Sequence, residues 1–415
     1  MTNISIGLFQ GIALYIATVL GSGVLFLSGV TASIAGPASI LSWMIVIIIS
    51  FPLAYSFACL AQEYPDAGGA ATFVRISFGE HLGNIIGWLY FVTAAVGQTI
   101  VALTGSYYLG NAFGFSQTEI MVSALLMLFI AGATNYYGIR VSGKVALLLS
   151  GCLFFLLVIT IFLSLPSVSL NQFTPFFPHG SGSIGSAITV IFWAFFGWEA
   201  ICNLSNNFRN PDKNIVRSTI ISAIIIGFLF LALSFITIGT GTYGNEESNL
   251  SPIAVIMNDT VGLNAQLITG MLAFIICTGT INAFVASLTQ LGFSLSRDRA
   301  FPSYFSVLHP KIQISRRMVI FVVMFAGAGV CITEALSLTF NDILFIPTSL
   351  GILVYILSMA AGVKLFKNGT LPWLSSLIAF ILCVLVLPFF QSHIIVPLIV
   401  ISIYLIYMYI FHRRR

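Results

Sequence analysis

Charge is what this chain lacks most. Of 415 residues only 7% are Asp, Glu, Lys or Arg, against 58% hydrophobic, and the mean hydropathy is +1.05. A soluble globular chain is about 25% charged, and 16 Lys and Arg with 12 Asp and Glu cannot solvate a surface of this size. The excess apolar surface therefore faces lipid. So few cations also argue against a nucleic-acid partner despite the formal net charge of +4. Histidine is sparse and scattered: His81, His179, His309, His393 and His412 fall in loops or at helix ends, so no metal site is expected. No Gly-rich loop with a Lys is present to cradle phosphate, which argues against a nucleotide-driven pump, and no cofactor is expected. The six cysteines (Cys59, Cys152, Cys202, Cys277, Cys331, Cys383) fall within apolar runs and read as small buried side chains rather than a disulfide framework.

What the sequence has instead is long apolar runs. At roughly 30 to 35 residues per crossing, the length predicts about twelve. Runs bounded by Pro, Gly or charge place spans at 6–33, 36–62, 82–110, 118–137, 143–165, 184–204, 217–242, 262–295, 317–338, 342–366, 372–389 and 393–411. An even number puts both termini on one side. With that alternation every Lys and Arg falls on one side, while Glu119, Glu246, Glu247, Asp259, Glu334 and Asp342 fall on the other with no cation among them. The positive-inside rule makes the cationic side cytoplasmic, with both termini, in a multi-pass protein of the inner or plasma membrane. The first apolar stretch has no basic start and runs long without a clear cleavage site, so it reads as a retained first helix rather than a signal peptide.

Two places interrupt the apolar spans. In span 1, Gly21 and Gly23 flank Ser22 at the depth of the bilayer core. Glycine lowers helix stability by about 1 kcal/mol relative to Ala and permits positive φ, so the pair can unwind the helix; close packing of small residues is the competing use. Unwound backbone is tolerated in a membrane only where protein covers it or it lines a cavity. In span 6, Trp193-Ala194-Phe195-Phe196-Gly197-Trp198-Glu199 sets a glycine beside the one acid placed well inside the membrane. Such a carboxyl must be protonated, hydrogen-bonded or in contact with a watery cavity. Gly23 and Gly197 lie 174 residues apart, and five spans begin with span 1 before span 6 opens. A second copy of an odd-numbered unit enters the membrane the opposite way. Inverted repeats that each open with a discontinuous helix are the mark of secondary transporters. The fold expected is all-α and polytopic: a first five-helix repeat over 1–165, a second over 184–366, and two further helices over 372–411. Half-helix N–H groups would receive a carboxylate and unwound carbonyls an ammonium, both of which a free amino acid carries. Between spans 2 and 3, Glu63-Tyr64-Pro65-Asp66-Ala67-Gly68-Gly69-Ala70-Ala71-Thr72-Phe73 reads as a turn.

Six motifs in order resemble the amino acid/polyamine/organocation superfamily of transporters. They are Gly21-Ser22-Gly23-Val24; Glu63-Tyr64-Pro65 with Gly68-Gly69; Phe78-Gly79 with Gly87-Trp88; Phe196-Gly197-Trp198-Glu199; Asn210-Pro211; and Ser296-Arg297-Asp298-Arg299-Ala300-Phe301-Pro302. Within the superfamily the chain is most similar to small bacterial exporters of methionine and branched-chain amino acids. The resemblance implies a substrate held between spans 1, 3, 6, 8 and 10. Its carboxylate would lie on the backbone N–H groups of Ser22 and Gly23, next to Gly21. Its ammonium would meet carbonyls around Val19 and Phe195 or Phe196, beside Gly197. Gln98, with Ala94 one turn earlier, would face the substrate side chain, and Trp193 and Phe284 would fall at aromatic gate positions. Glu199, an acid in a low-dielectric span, is by its own placement the candidate to carry a coupling proton. Two departures stand out. The stretch Ser150-Gly151-Cys152-Leu153-Phe154 lacks the lysine many relatives carry in span 5, and Asn206 and Asn207 replace acids before Asn210-Pro211.

These features predict a secondary transporter of small neutral, hydrophobic amino acids such as methionine, leucine, isoleucine and valine, and the resemblance implies that it exports them in a proton-coupled way. An importer or exchanger with other substrates or sodium coupling is the alternative. No catalytic residues are expected, since an enzyme needs convergent groups at one depth and Glu199 stands without an intramembrane His or second acid. Oligomeric state is left open.

Overall fold

The computed structural model describes residues 6–64, 69–138, 143–199, 202 and 208–412. Among these the regular structure is helical, with one isolated backbone bridge between Ile6 and Phe208. The first span is two helices, α1 (Leu8–Leu20) and α2 (Gly23–Ala35); the second is α3 (Ser39–Glu63). A short α4 (Ala70–Phe78) precedes the third span, α5 (Glu80–Phe113), and α6 (Gln117–Tyr136) and α7 (Gly143–Ser164) follow. The sixth span opens with α8 (Gly182–Ile191) and a 3₁₀ turn, Phe192–Phe195; the seventh is α9 (Pro211–Gly239). After α10 (Glu246–Leu250) and α11 (Pro252–Val261), the last five spans are α12 (Leu263–Arg297), α13 (Arg316–Ala335), α14 (Phe340–Leu365), α15 (Leu371–Val386) and α16 (Ile395–His412). Nine helical stretches among the described residues are long and apolar enough to cross a bilayer. Two of them, Gly23–Glu63 and Leu371–Ile410, each hold two antiparallel passes run together, and the short apolar Gly182–Phe195 belongs to the broken sixth span, so the chain makes twelve crossings.

Local chemistry sets the helix ends. Pro211 occupies the first turn of α9, where its missing N–H costs nothing. Thr339 and Asp342 cap α14 reciprocally: Asp342 N–H donates to the Thr339 hydroxyl at 3.3 Å, and Thr339 N–H donates to the carboxylate at 3.0 Å.

The two halves repeat each other. Spans 2 and 3 pack on spans 7 and 8, α3 against α9 and α5 against α12. The short helices repeat as well. α4 (9 residues) ends at Gly79 with φ 96° and ψ 173°, and α11 (10 residues) ends at Gly262 with φ 111° and ψ 179°. Each glycine then turns the chain into a long helix, and the two lie 183 residues apart. These connecting helices depart from the sequence expectation, which had a turn over Glu63–Phe73 and no element between 242 and 262. Nine or ten residues are too short to register as a span, and their ends hinge on glycine conformation rather than on hydrophobic pattern. Pro65–Gly68 of the expected turn lie outside the described residues.

Polar side chains tie the scaffold in register. Asn135 Nδ2 of α6 donates to Asn282 Oδ1 of α12 at 2.8 Å and to its backbone carbonyl at 3.1 Å, with the Thr134 hydroxyl 2.5 Å from the same Oδ1. The Trp88 indole N–H donates to Ala300 O at 2.6 Å, joining two of the sequence motifs across 212 residues.

Candidate substrate site

The unwinding in span 1 is confined to Gly21 and Ser22. Gly21 takes φ 38° and ψ −146°, a conformation L side chains rarely adopt, and Ser22 returns to the helical region as the cap of α2. The first N–H groups of α2 have no acceptor one turn back, and the buried Ser22 side chain does not cap them. In span 6 the 3₁₀ turn ends in an extended Phe196 (φ −70°, ψ 118°), followed by Gly197 at φ 141°. The two breaks abut. A Cβ placed on Gly197 would stand 3.1 Å from the Thr18 carbonyl oxygen and 3.3 Å from Val19 Cγ2. Residues 200, 201 and 203–207, which include Asn206 and Asn207, lie outside the described residues.

The aromatic residues of span 6 divide by direction. Trp193 and Phe196 stay half-exposed, while Phe195 and Trp198 are buried in the core. Trp193 bridges spans 1 and 3: a Cβ on Gly23 would meet its Cδ1 at 3.1 Å, and one on Gly97 would meet its Cη2 at 2.8 Å. Gly23 and Gly97 therefore seat the indole. The Phe196 ring lies against Gly351 of α14 and is edge-on to Trp193, 6.3 Å between centroids. The Phe195 ring turns toward Trp198 and Phe230, leaving its carbonyl as the group that faces α14.

Glu199 sits beneath this break, 5% exposed. Its Oε2 accepts the Gly197 N–H at 3.0 Å and lies 2.7 Å from the Tyr355 hydroxyl of α14; the Tyr90 hydroxyl of α5 bonds the same carboxyl. The Tyr355 hydroxyl is also 2.6 Å from the Phe195 carbonyl oxygen. A tyrosine has one proton to donate. With the proton aimed at Phe195 O, the contact to Glu199 is a hydrogen bond only if the carboxyl is protonated and donates to the Tyr355 oxygen. With Glu199 ionised, Tyr355 donates to it and the Phe195 carbonyl is released.

The remaining expected residues are less convergent. Val19 is buried at the end of α1, and Ala94 is buried on α5, where its carbonyl accepts Gln98 Nε2 at 2.9 Å. Gln98 Oε1 is buried without a partner among the described residues. Phe284 is half-buried on α12, and no ring contact among the described residues joins it to Trp193 or Phe196. Cys152 and Leu153 of span 5 bring no charge to the region. Tyr90 and Tyr355 are not legible as site residues in the sequence: a tyrosine in an apolar span gives no local sign of a partner 109 or 156 residues away.

The amino acid permease family model matches residues 6–411. An uncharacterized amino acid permease of Bacillus subtilis strain 168, YecA, is 33% identical over 385 residues, covering 93% of this chain and 91% of that protein. The L-methionine/branched-chain amino acid exporter YjeH of Escherichia coli K12 is 26% identical over 390 residues, 92% and 90% of the two chains. The putrescine transporter PotE of Haemophilus influenzae is 23% identical over 376 residues, 87% and 85%. With its twelve crossings and two broken helices, the chain belongs to the amino acid permease family of the amino acid/polyamine/organocation superfamily of transporters.

Proposed function

We propose that the chain exports small neutral, hydrophobic amino acids, methionine, leucine, isoleucine and valine among them, in exchange for protons. It does so by alternating access from the inner membrane with both termini cytoplasmic. Residues 1–165 and 184–366 act as the two inverted repeats, with 372–411 outside them. The carboxylate takes the free N–H groups of Ser22 and Gly23 at the positive end of α2. The ammonium takes the carbonyls of Val19 and Phe195. Trp193 and Phe196 enclose the apolar side chain, with Ala94, Gln98 and Phe284 bounding it farther off.

The observation that carries the coupling is the shared Tyr355 hydroxyl, 2.7 Å from Glu199 and 2.6 Å from Phe195 O. Protonating Glu199 turns Tyr355 onto the carbonyl that the ammonium needs; removing the proton turns it back. Proton and substrate then compete, and competition for one site is what exchange across a membrane requires. Two observations support the apolar preference. Trp193 and Phe196 are the open side chains at the breaks, and near them Glu199 is the one carboxyl among the described residues. YjeH, similar along nearly its whole length, exports methionine and branched-chain amino acids.

The test is transport by the purified protein in liposomes preloaded with a mixture of common amino acids, under a pH gradient and a sodium gradient applied separately. Selective release of methionine, leucine, isoleucine or valine driven by the pH gradient is the expected result. Movement of other amino acids, or drive by sodium alone, overturns the substrate or the coupling ion respectively.

A further inference from the structure

At the cationic end of the bundle, two adjacent arginines are built into the same arrangement. The Arg316 guanidinium lies 4.4 Å above the Tyr136 ring, and its Nε donates to the Tyr136 carbonyl at 3.1 Å. The Arg317 guanidinium lies 4.3 Å above the Tyr304 ring, and its Nη1 donates to the Tyr304 carbonyl at 3.1 Å. Ring and carbonyl fix each fork in place while leaving most of its five N–H donors free. Neither arginine has a carboxylate partner: the ion pair among the described residues is Arg297 with Asp298. Both open α13, whose first turn adds the positive end of a 20-residue helix dipole.

The lipid-facing surface continues from them. Arg317, Ile320 and Met324 follow the helical spacing of one face, and Ile320 and Met324 are 51% and 67% exposed in a helix that crosses the bilayer. Tyr304 is likewise exposed at the level where tyrosine and arginine meet headgroups. We propose that this pair is a binding site for an anionic phospholipid. Its phosphate is held by the forks of Arg316 and Arg317, and its acyl chain runs along Ile320 and Met324. The uncompensated charge selects an anion, and the apolar track below it selects a lipid over a free anion. The site lies at the end of span 4, on the loop between spans 8 and 9 and at the start of span 9, away from both helix breaks, and does not depend on which amino acid is carried.

The test is thermal unfolding of the full-length protein in an uncharged detergent, titrated with phosphatidylglycerol, phosphatidylcholine or sodium phosphate. Phosphatidylglycerol should raise the midpoint of the unmodified protein and of K213Q/R217Q, a control that removes two exposed cations elsewhere on the same face. Phosphatidylcholine and inorganic phosphate should not. In R316Q/R317Q the apparent affinity for phosphatidylglycerol should fall at least about tenfold, since each basic group near an anionic surface contributes about 1 kcal/mol. An unchanged response of R316Q/R317Q, an equal response to phosphatidylcholine, or a response reproduced by inorganic phosphate overturns the proposal. Should the double variant not fold, native mass spectrometry of R317Q provides the same decision: loss of the phosphatidylglycerol adduct supports the site, and its retention refutes it.

Discussion

The two helix breaks occupy equivalent places in the two repeats but are built differently. In span 1 the interruption is two residues long, neither of them ionisable, and hands the chain back to a regular helix at Gly23. In span 6 it extends from a 3₁₀ turn through an extended Phe196 to Gly197, and carries a carboxyl tied to α5 and α14 by two tyrosines. The first break offers donors and little else. The second offers a carbonyl whose availability depends on where one proton resides. On the proposed mechanism, anion binding falls to one copy and proton linkage to the other, and the difference lies in three side chains, Tyr90, Glu199 and Tyr355.

The largest contrast should come from placing a methyl group at each break. Gly197→Ala forces a Cβ at φ 141° to within 3.1 Å of the Thr18 carbonyl oxygen, a backbone atom that cannot step aside. Gly21→Ala meets nothing closer than 3.6 Å, leaving only the strain of a glycine-favoured backbone region, about 1–3 kcal/mol. Transport in liposomes should be lost in the first and reduced roughly tenfold in the second. Equal losses would remove the asymmetry.

Next in size is the proton linkage. Because a proton on Glu199 withdraws the Phe195 carbonyl, apparent substrate affinity should rise with pH as the carboxyl ionises. Glu199→Gln and Tyr355→Phe should both flatten that profile while the protein still folds and binds, as titrations across pH would reveal. A profile in Tyr355→Phe that matches the unmodified protein would confine Tyr355 to packing.

Away from the breaks, Asn282→Leu removes the side-chain acceptor shared by Asn135 and Thr134, which keep backbone acceptors, and should lower stability by about 0.5–1.5 kcal/mol, the net worth of a typical hydrogen bond. It should leave substrate affinity within about twofold; a larger change would connect this staple to the site. The smallest effect tests the repeat itself. Gly79→Ala and Gly262→Ala both meet no atom within 4 Å, so each should lower the unfolding midpoint by a similar few degrees, the strain of placing an L side chain at φ 96° or 111° with ψ 173° or 179°. Markedly unequal shifts would contradict the equivalence of the two hinges.

The twelve crossings and the two interruptions were legible in the sequence because both depend on local composition: apolar run length in one case, glycine beside glycine or acid in the other. Trp193 and Phe196 could be named from their place beside Gly197. Their seats could not, since Gly23, Gly97 and Gly351 accept those rings through packing between helices far apart in the chain. The same holds for Tyr90 and Tyr355, which look like any aromatic residue of an apolar span until the fold sets them on Glu199. Short helices α4 and α11 were hidden because they are too brief for a hydrophobic period to register.

On the proposed mechanism, substrate and proton exclude one another at Glu199, Tyr355 and the Phe195 carbonyl. The direct measurement is calorimetric titration of the purified protein with methionine or leucine in two buffers of different ionisation enthalpy, which counts protons exchanged on binding. Release approaching one proton per bound amino acid at low pH, abolished in Glu199→Gln, is the result predicted. Binding that releases no proton, or takes one up, would contradict it.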